Sequence, residues 1–150
     1  MDVKTSYRES AARGASPVRL VVCLYEQAIE DLRRSVIALE KGDIEVRTRG
    51  INHALMVIGQ LQGSIDMERG GEVARNLERF YNMVRVGLAE AQQKQSARIL
   101  EQQISQLVTV HEAWLEVERV TAGASPSPGD RSSFNPETNT PKNSFADWNA

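Results

Sequence analysis

Three side chains in this sequence have the types that most often bind metals or attack substrates near neutral pH: His53, His111 and the single Cys23. Three is too few for a Cys/His zinc cluster, which takes four ligands. A di-metal centre inside a helical bundle draws on Glu-x-x-His pairs, but the residues three positions before the two histidines are Gly50 and Val108. Glycine-rich phosphate loops of the P-loop or dinucleotide type are absent as well. Cys23 lies in the apolar run Leu20-Val21-Val22-Cys23-Leu24, where burial is the usual state of a thiol. His111 lies on an apolar helical stripe and reads as a hydrogen-bonded core histidine. No catalytic residue, cofactor or metal site is expected, so the chemistry is to be sought in binding.

The elements that would position a binding surface follow from composition. Lysine and arginine number 18 against 20 aspartates and glutamates, a net charge of -2, without the basic excess of a nucleic-acid binder. No apolar run reaches membrane-spanning length, and the start of the chain has no apolar stretch after its charges. With one cysteine, these features suit a cytoplasmic protein that does not insert into membrane. Of five prolines, Pro17 stands near the start while Pro126, Pro128, Pro136 and Pro141 crowd after residue 120. The long proline-free span between them, rich in Leu, Ile, Val, Ala, Glu, Gln and Arg, reads as all-α.

Local signals divide that span into four helices. Ser16-Pro17 should cap and start the first, and Lys41-Gly42 should end it. Asp43 should cap the second, whose stripe runs through Ile51, Ala54, Leu55, Ile58, Leu61 and Ile65. Arg69-Gly70-Gly71 interrupts, and a third stripe follows in Val73, Leu77, Phe80, Tyr81, Val84, Leu88 and Ala91. A fourth occupies Ala97, Leu100, Ile104, Leu107, His111 and Trp114, after a junction (92–96) with neither glycine nor proline. Short links force antiparallel neighbours, hence an antiparallel four-helix bundle over 16–120. Residues 1–15 read as a short mobile N-terminal cap around Tyr7, and 121–150, rich in Pro, Ser and Asn, as a disordered C-terminal tail.

A bundle helix buries a stripe a little over 100° wide, and three helices carry apolar residues beside theirs. Val22 and Ile29 widen the first. Val46 and Val57, next to Gly50 and Ala54, widen the second, and Ile99, Val110 and Val117 the fourth. These flanks either complete the bundle or a dimer seam, or form a groove for an amphipathic client helix, with the small residues permitting close approach.

Three segments resemble a known family, the flagellar export chaperones FliS. They are Ser16-Pro17-Val18-Arg19-Leu20-Val21-Val22-Cys23-Leu24-Tyr25, the stretch Ile65-Asp66-Met67-Glu68-Arg69-Gly70-Gly71 continuing to Phe80-Tyr81, and Glu112-Ala113-Trp114. Cys23, Glu26 and Phe80 stand where the family commonly has methionine, aspartate and leucine. The tail aromatics Phe134, Phe145 and Trp148 have no counterpart in it. The resemblance implies a non-enzymatic chaperone that holds the C-terminal helical segment of flagellin against premature polymerisation and delivers it to the flagellar type III export gate. It would act as a monomer or weak homo-oligomer, without a cofactor. The alternative is a constitutive helical dimer or structural adaptor. The expected client-binding residues are Tyr7, Tyr25, Ile29, Val46, Gly50, Ala54, Val57 and Leu61.

Overall fold

The chain enters its first helix where Ser16 and Pro17 direct it. The Ser16 hydroxyl accepts the Arg19 amide at 3.1 Å, and Pro17 occupies a first-turn position that needs no donor. The computed structural model describes residues 16–123, which form α1 (Pro17–Lys41), α2 (Ile44–Gly63), α3 (Gly71–Lys94) and α4 (Ala97–Gly123). Gly42 ends α1 at φ 73°, a left-handed conformation that costs glycine nothing, and Asp43 at once caps α2 by accepting the Val46 amide. Asp66 organises the next turn, its Oδ1 accepting the amides of Glu68 and Arg69 at 3.1 and 3.0 Å. Between α3 and α4 the turn is made without glycine. Gln95 takes a left-handed φ of 51°, and the Ser96 hydroxyl accepts the Ile99 amide.

Each helix packs against its neighbours in sequence, and α4 closes the ring against α1. This is an up-and-down antiparallel four-helix bundle, the architecture expected from the short links. α1 packs extensively on both α2 and α4, whereas α3 meets its two neighbours over less of its length. The centre holds Tyr25, Leu32, Ile51, Ile58, Leu61, Tyr81, Leu88, Leu100 and Leu107, all fully buried. Burying one such leucine or isoleucine contributes about 1.5–3 kcal/mol, so this layer supplies most of the driving force.

The apolar flanks are largely core. Val22, Ile29, Val57, Ile99, Val110 and Val117 are all buried, and Ile29, Val57, Ile99 and Val110 belong to the core cluster. A helix in a closed bundle touches two neighbours and faces a third across the centre, so its buried arc exceeds the single stripe of a surface helix. α2 shows the shift: its centre is Ile51, Ala54, Val57 and Ile58, while Leu55 sits half-buried at the edge. α4 also runs three residues past 120, with the Thr121 hydroxyl donating to the Val117 carbonyl oxygen. The proposed cap with Tyr7, and the tail from 124 onward with Phe134, Phe145 and Trp148, lie outside the described residues.

Candidate functional site

At the centre of the bundle Tyr25 and Tyr81 reach across from α1 and α3, their hydroxyls 2.8 Å apart and their ring centroids 6.2 Å apart. Burial disfavours the phenolate at both. It pushes Tyr25 well above its usual 10, helped by the neighbouring Tyr81 and opposed by a hydrogen bond from Trp114. It pushes Tyr81 up to about 12, against the hydrogen bond with Tyr25. The pair is a neutral cross-brace that lets two polar rings occupy the core.

Between α1 and α2 lies a cleft lined by Gln27, Glu30, Asp31, Arg34, Val46, Arg49, Gly50 and His53. The buried Asp31 carboxylate takes His53 Nδ1 at 2.5 Å on one oxygen and Gln27 Nε2 at 3.3 Å on the other. The Ser35 hydroxyl lies 2.9 Å from the Asp31 carbonyl oxygen and 3.2 Å from that of Arg47, tying the helices together. Gly50 faces this point. A Cβ there would strike Ser35 Oγ and stand 2.9 Å from the Asp31 carbonyl oxygen. The close approach inferred at Gly50 is therefore made by α1 of the same chain.

The seam between α1 and α4 is polar at one end and mainly apolar at the other. Two hollows lie in line along it, one lined by Glu26, Ile29, Glu30, Arg33, Val108 and His111, the other by Arg33, Val36, Ile37, Glu101, Ile104 and Ser105. Ile37 is 52% exposed at the outer rim. His111, expected as a hydrogen-bonded core histidine, is half-buried in the wall of the first hollow, and its enclosed Nε2 has no hydrogen-bond partner among the described residues. Across α4, a groove against α3 is lined by Asn76, Arg79, Phe80, Met83, Gln106, Thr109 and Val110.

The expected client-binding residues do not share one face. Tyr25, Ala54, Val57 and Leu61 are fully buried, and at Gly50 the α2 edge lies against Ser35 and the Asp31 carbonyl oxygen of α1. Val46, 39% exposed, and Gly50 line the α1–α2 cleft, while Ile29 lines the α1–α4 seam on the opposite side of α1. The Asp31–His53 pair was not expected from the sequence. Asp31 shares a face with Ala28, Leu32 and Ser35, and an acid at that position was the one available signal.

Among the described residues, no three His, Cys, Asp or Glu side chains are grouped to hold a metal ion, and no helix is long and apolar enough to cross a membrane. In form the molecule is a helical bundle whose open seams, rather than any reactive group, are its distinctive surface. The family model for the flagellar protein FliS matches residues 2–121. The chain is 32% identical over 110 residues to the flagellar secretion chaperone FliS of Salmonella typhimurium, covering 73% of this chain and 82% of that one. It is 32% identical over 106 residues to the flagellar secretion chaperone FliSB of Pseudomonas aeruginosa, covering 71% and 84%. To FliS of Vibrio cholerae it is 29% identical over 109 residues, covering 73% and 80%. The chain belongs to the FliS family of flagellar secretion chaperones.

Proposed function

We propose that this protein is a cytoplasmic export chaperone that binds the C-terminal helical segment of flagellin along the α1–α4 seam, masks it from other flagellin chains and passes it to the export gate. Family membership supports the class of client. The observation that carries the choice of surface is the pair of in-line hollows that share Arg33, the second of them mainly apolar and rimmed by the exposed Ile37. From Glu26 to Ile37 the seam follows α1 for about 16 Å, or three turns of a client helix at 1.5 Å per residue. Such a helix would seat apolar anchors at i, i+4 and i+7 in the hollows. Burial at about 25 cal/mol per Å² of apolar surface drives the association, offset by the cost of ordering the segment. Glu26, Glu30, Glu101 and Arg33 rim the seam and suit a client whose polar edge carries charges of both signs.

Titration calorimetry of the full chain with flagellin, and with flagellin lacking its last few dozen residues, tests this reading. Heat of binding should be lost with the segment and restored by the segment as a peptide. Equal binding by both flagellins would overturn it, as would a permanent dimer of the chaperone that buries the seam.

A further inference from the structure

The α3–α4 groove differs from the α1–α2 cleft and the α1–α4 hollows in its charge. Phe80, Met83 and Val110 give it apolar character, Met83 being 50% exposed, and Arg79 is the only charged residue lining it. Arg79 donates to Asn76 Oδ1 at 3.3 Å and forms no ion pair among the described residues. The α1–α4 hollows carry Glu26, Glu30 and Glu101 with Arg33, and the α1–α2 cleft carries Glu30 and Asp31 with Arg34 and Arg49. An aromatic segment bearing negative charge therefore meets an arginine with no carboxylate beside it in the lining of the α3–α4 groove, and arginines already matched by carboxylates in the others.

The chain contains such a segment. The family match ends at residue 121, and beyond it the sequence Asn143-Ser144-Phe145-Ala146-Asp147-Trp148-Asn149-Ala150 carries two large aromatics and one charge, Asp147. We propose that this segment is the occupant of the α3–α4 groove of its own chain, with Phe145 and Trp148 against Phe80, Met83 and Val110, and Asp147 paired with Arg79. Aromatic rings make favourable contacts with a thioether, and the guanidinium is suited both to the carboxylate and to a ring face.

Reach supports an intramolecular contact. Val110 lies 13 residues back along α4 from Gly123, about 20 Å at 1.5 Å per residue. Phe145 follows Gly123 by 22 residues, whose root-mean-square span as a free chain is roughly 25 Å. Span and distance match, the condition under which a tethered ligand reaches its highest effective concentration. The α1–α4 seam, on the other edge of α4, is left open, so this contact is independent of the client reading.

The four methionines supply the test: Met83 lines the groove, Met56 and Met67 are exposed elsewhere, and Met1 is remote in sequence. Methyl resonances of methionine-labelled full chain are compared with those of a chain ending at Gly123 and of the full-length double variant Phe145→Ser/Trp148→Ser. Both changes should move the Met83 methyl well beyond any movement of Met56 and Met67, equally in dilute and concentrated samples. An unmoved Met83 overturns the proposal. So does a comparable shift at Met56 or Met67, or a Met83 shift that fades on dilution and so reports a second copy. Flagellin-peptide affinity in the same samples tests the client reading separately.

Discussion

The Tyr25–Tyr81 bond makes a prediction about alkaline pH whose sign is set by burial. Both phenols are held above their ordinary value of 10, Tyr81 at about 12. Below pH 10 both are protonated whether the chain is folded or not, so they add no pH dependence. As pH rises from 10 toward 12 the unfolded chain gives up protons that the folded chain keeps, and stability falls by up to about 1.4 kcal/mol per pH unit for each tyrosine. Urea midpoints measured across this window should drop steeply in the wild type and much less in Tyr25→Phe/Tyr81→Phe. Equal slopes would mean that the rings are accessible. Each single phenylalanine variant should cost more than half the double one, because it strands a buried hydroxyl at about 1–3 kcal/mol. Gly50 makes a second residue-scale prediction. Since a Cβ there meets Ser35 Oγ and the Asp31 carbonyl oxygen, Gly50→Ala should wedge α1 from α2 and lower stability by about 1–3 kcal/mol. A denaturant midpoint at or above that of the wild type would show that α1 yields.

At the scale of elements, the α3–α4 turn carries a removable strain. Gln95 holds φ 51°, a conformation that costs a residue with a Cβ roughly 1–2 kcal/mol. Gln95→Gly should therefore raise the melting temperature, by about the few degrees that 1 kcal/mol gives in a domain of this size; an unchanged or lower value would show that Gln95 has compensating contacts. This turn was also the least legible boundary in the sequence, because its cap is a left-handed glutamine where glycine is the usual sign. The other boundaries were legible for the opposite reason. Ser16, Pro17, Gly42 and Asp43 act through hydrogen bonds and backbone angles within a few residues of themselves, so their effect does not wait on tertiary structure. The surface was harder to read. Val57 and Gly50 lie on an edge of α2 that periodicity describes equally well as groove or as helix contact, and only the placement of α1 decides. The Asp31–His53 pair spans 22 residues and two helices, a coincidence that local patterns do not announce.

For the molecule as a whole, the distribution of packing separates residues that hold the bundle from those that face a partner. α1 is clamped between α2 and α4, so most of its apolar side chains are committed to the core, but Ile37 projects at the rim of the second hollow with half its surface in water. Its apolar area is available to a client and is scarcely used by the free protein. Ile37→Glu should thus leave the urea midpoint within about 0.5 kcal/mol of the wild type, as exposed substitutions do. In a bound complex the same glutamate would be carried out of water beside Glu101, with Arg33 the one cation lining that hollow. Affinity for the flagellin C-terminal peptide should fall by about tenfold or more, the equivalent of 1.4 kcal/mol. Val46→Glu is the matched control, since Val46 is also exposed but lines the α1–α2 cleft on the far side of α1. Calorimetry of both variants beside their unfolding curves separates the faces. Loss of affinity in Ile37→Glu alone places the client on the α1–α4 seam. Loss in Val46→Glu alone moves it to the cleft where Asp31 and His53 meet.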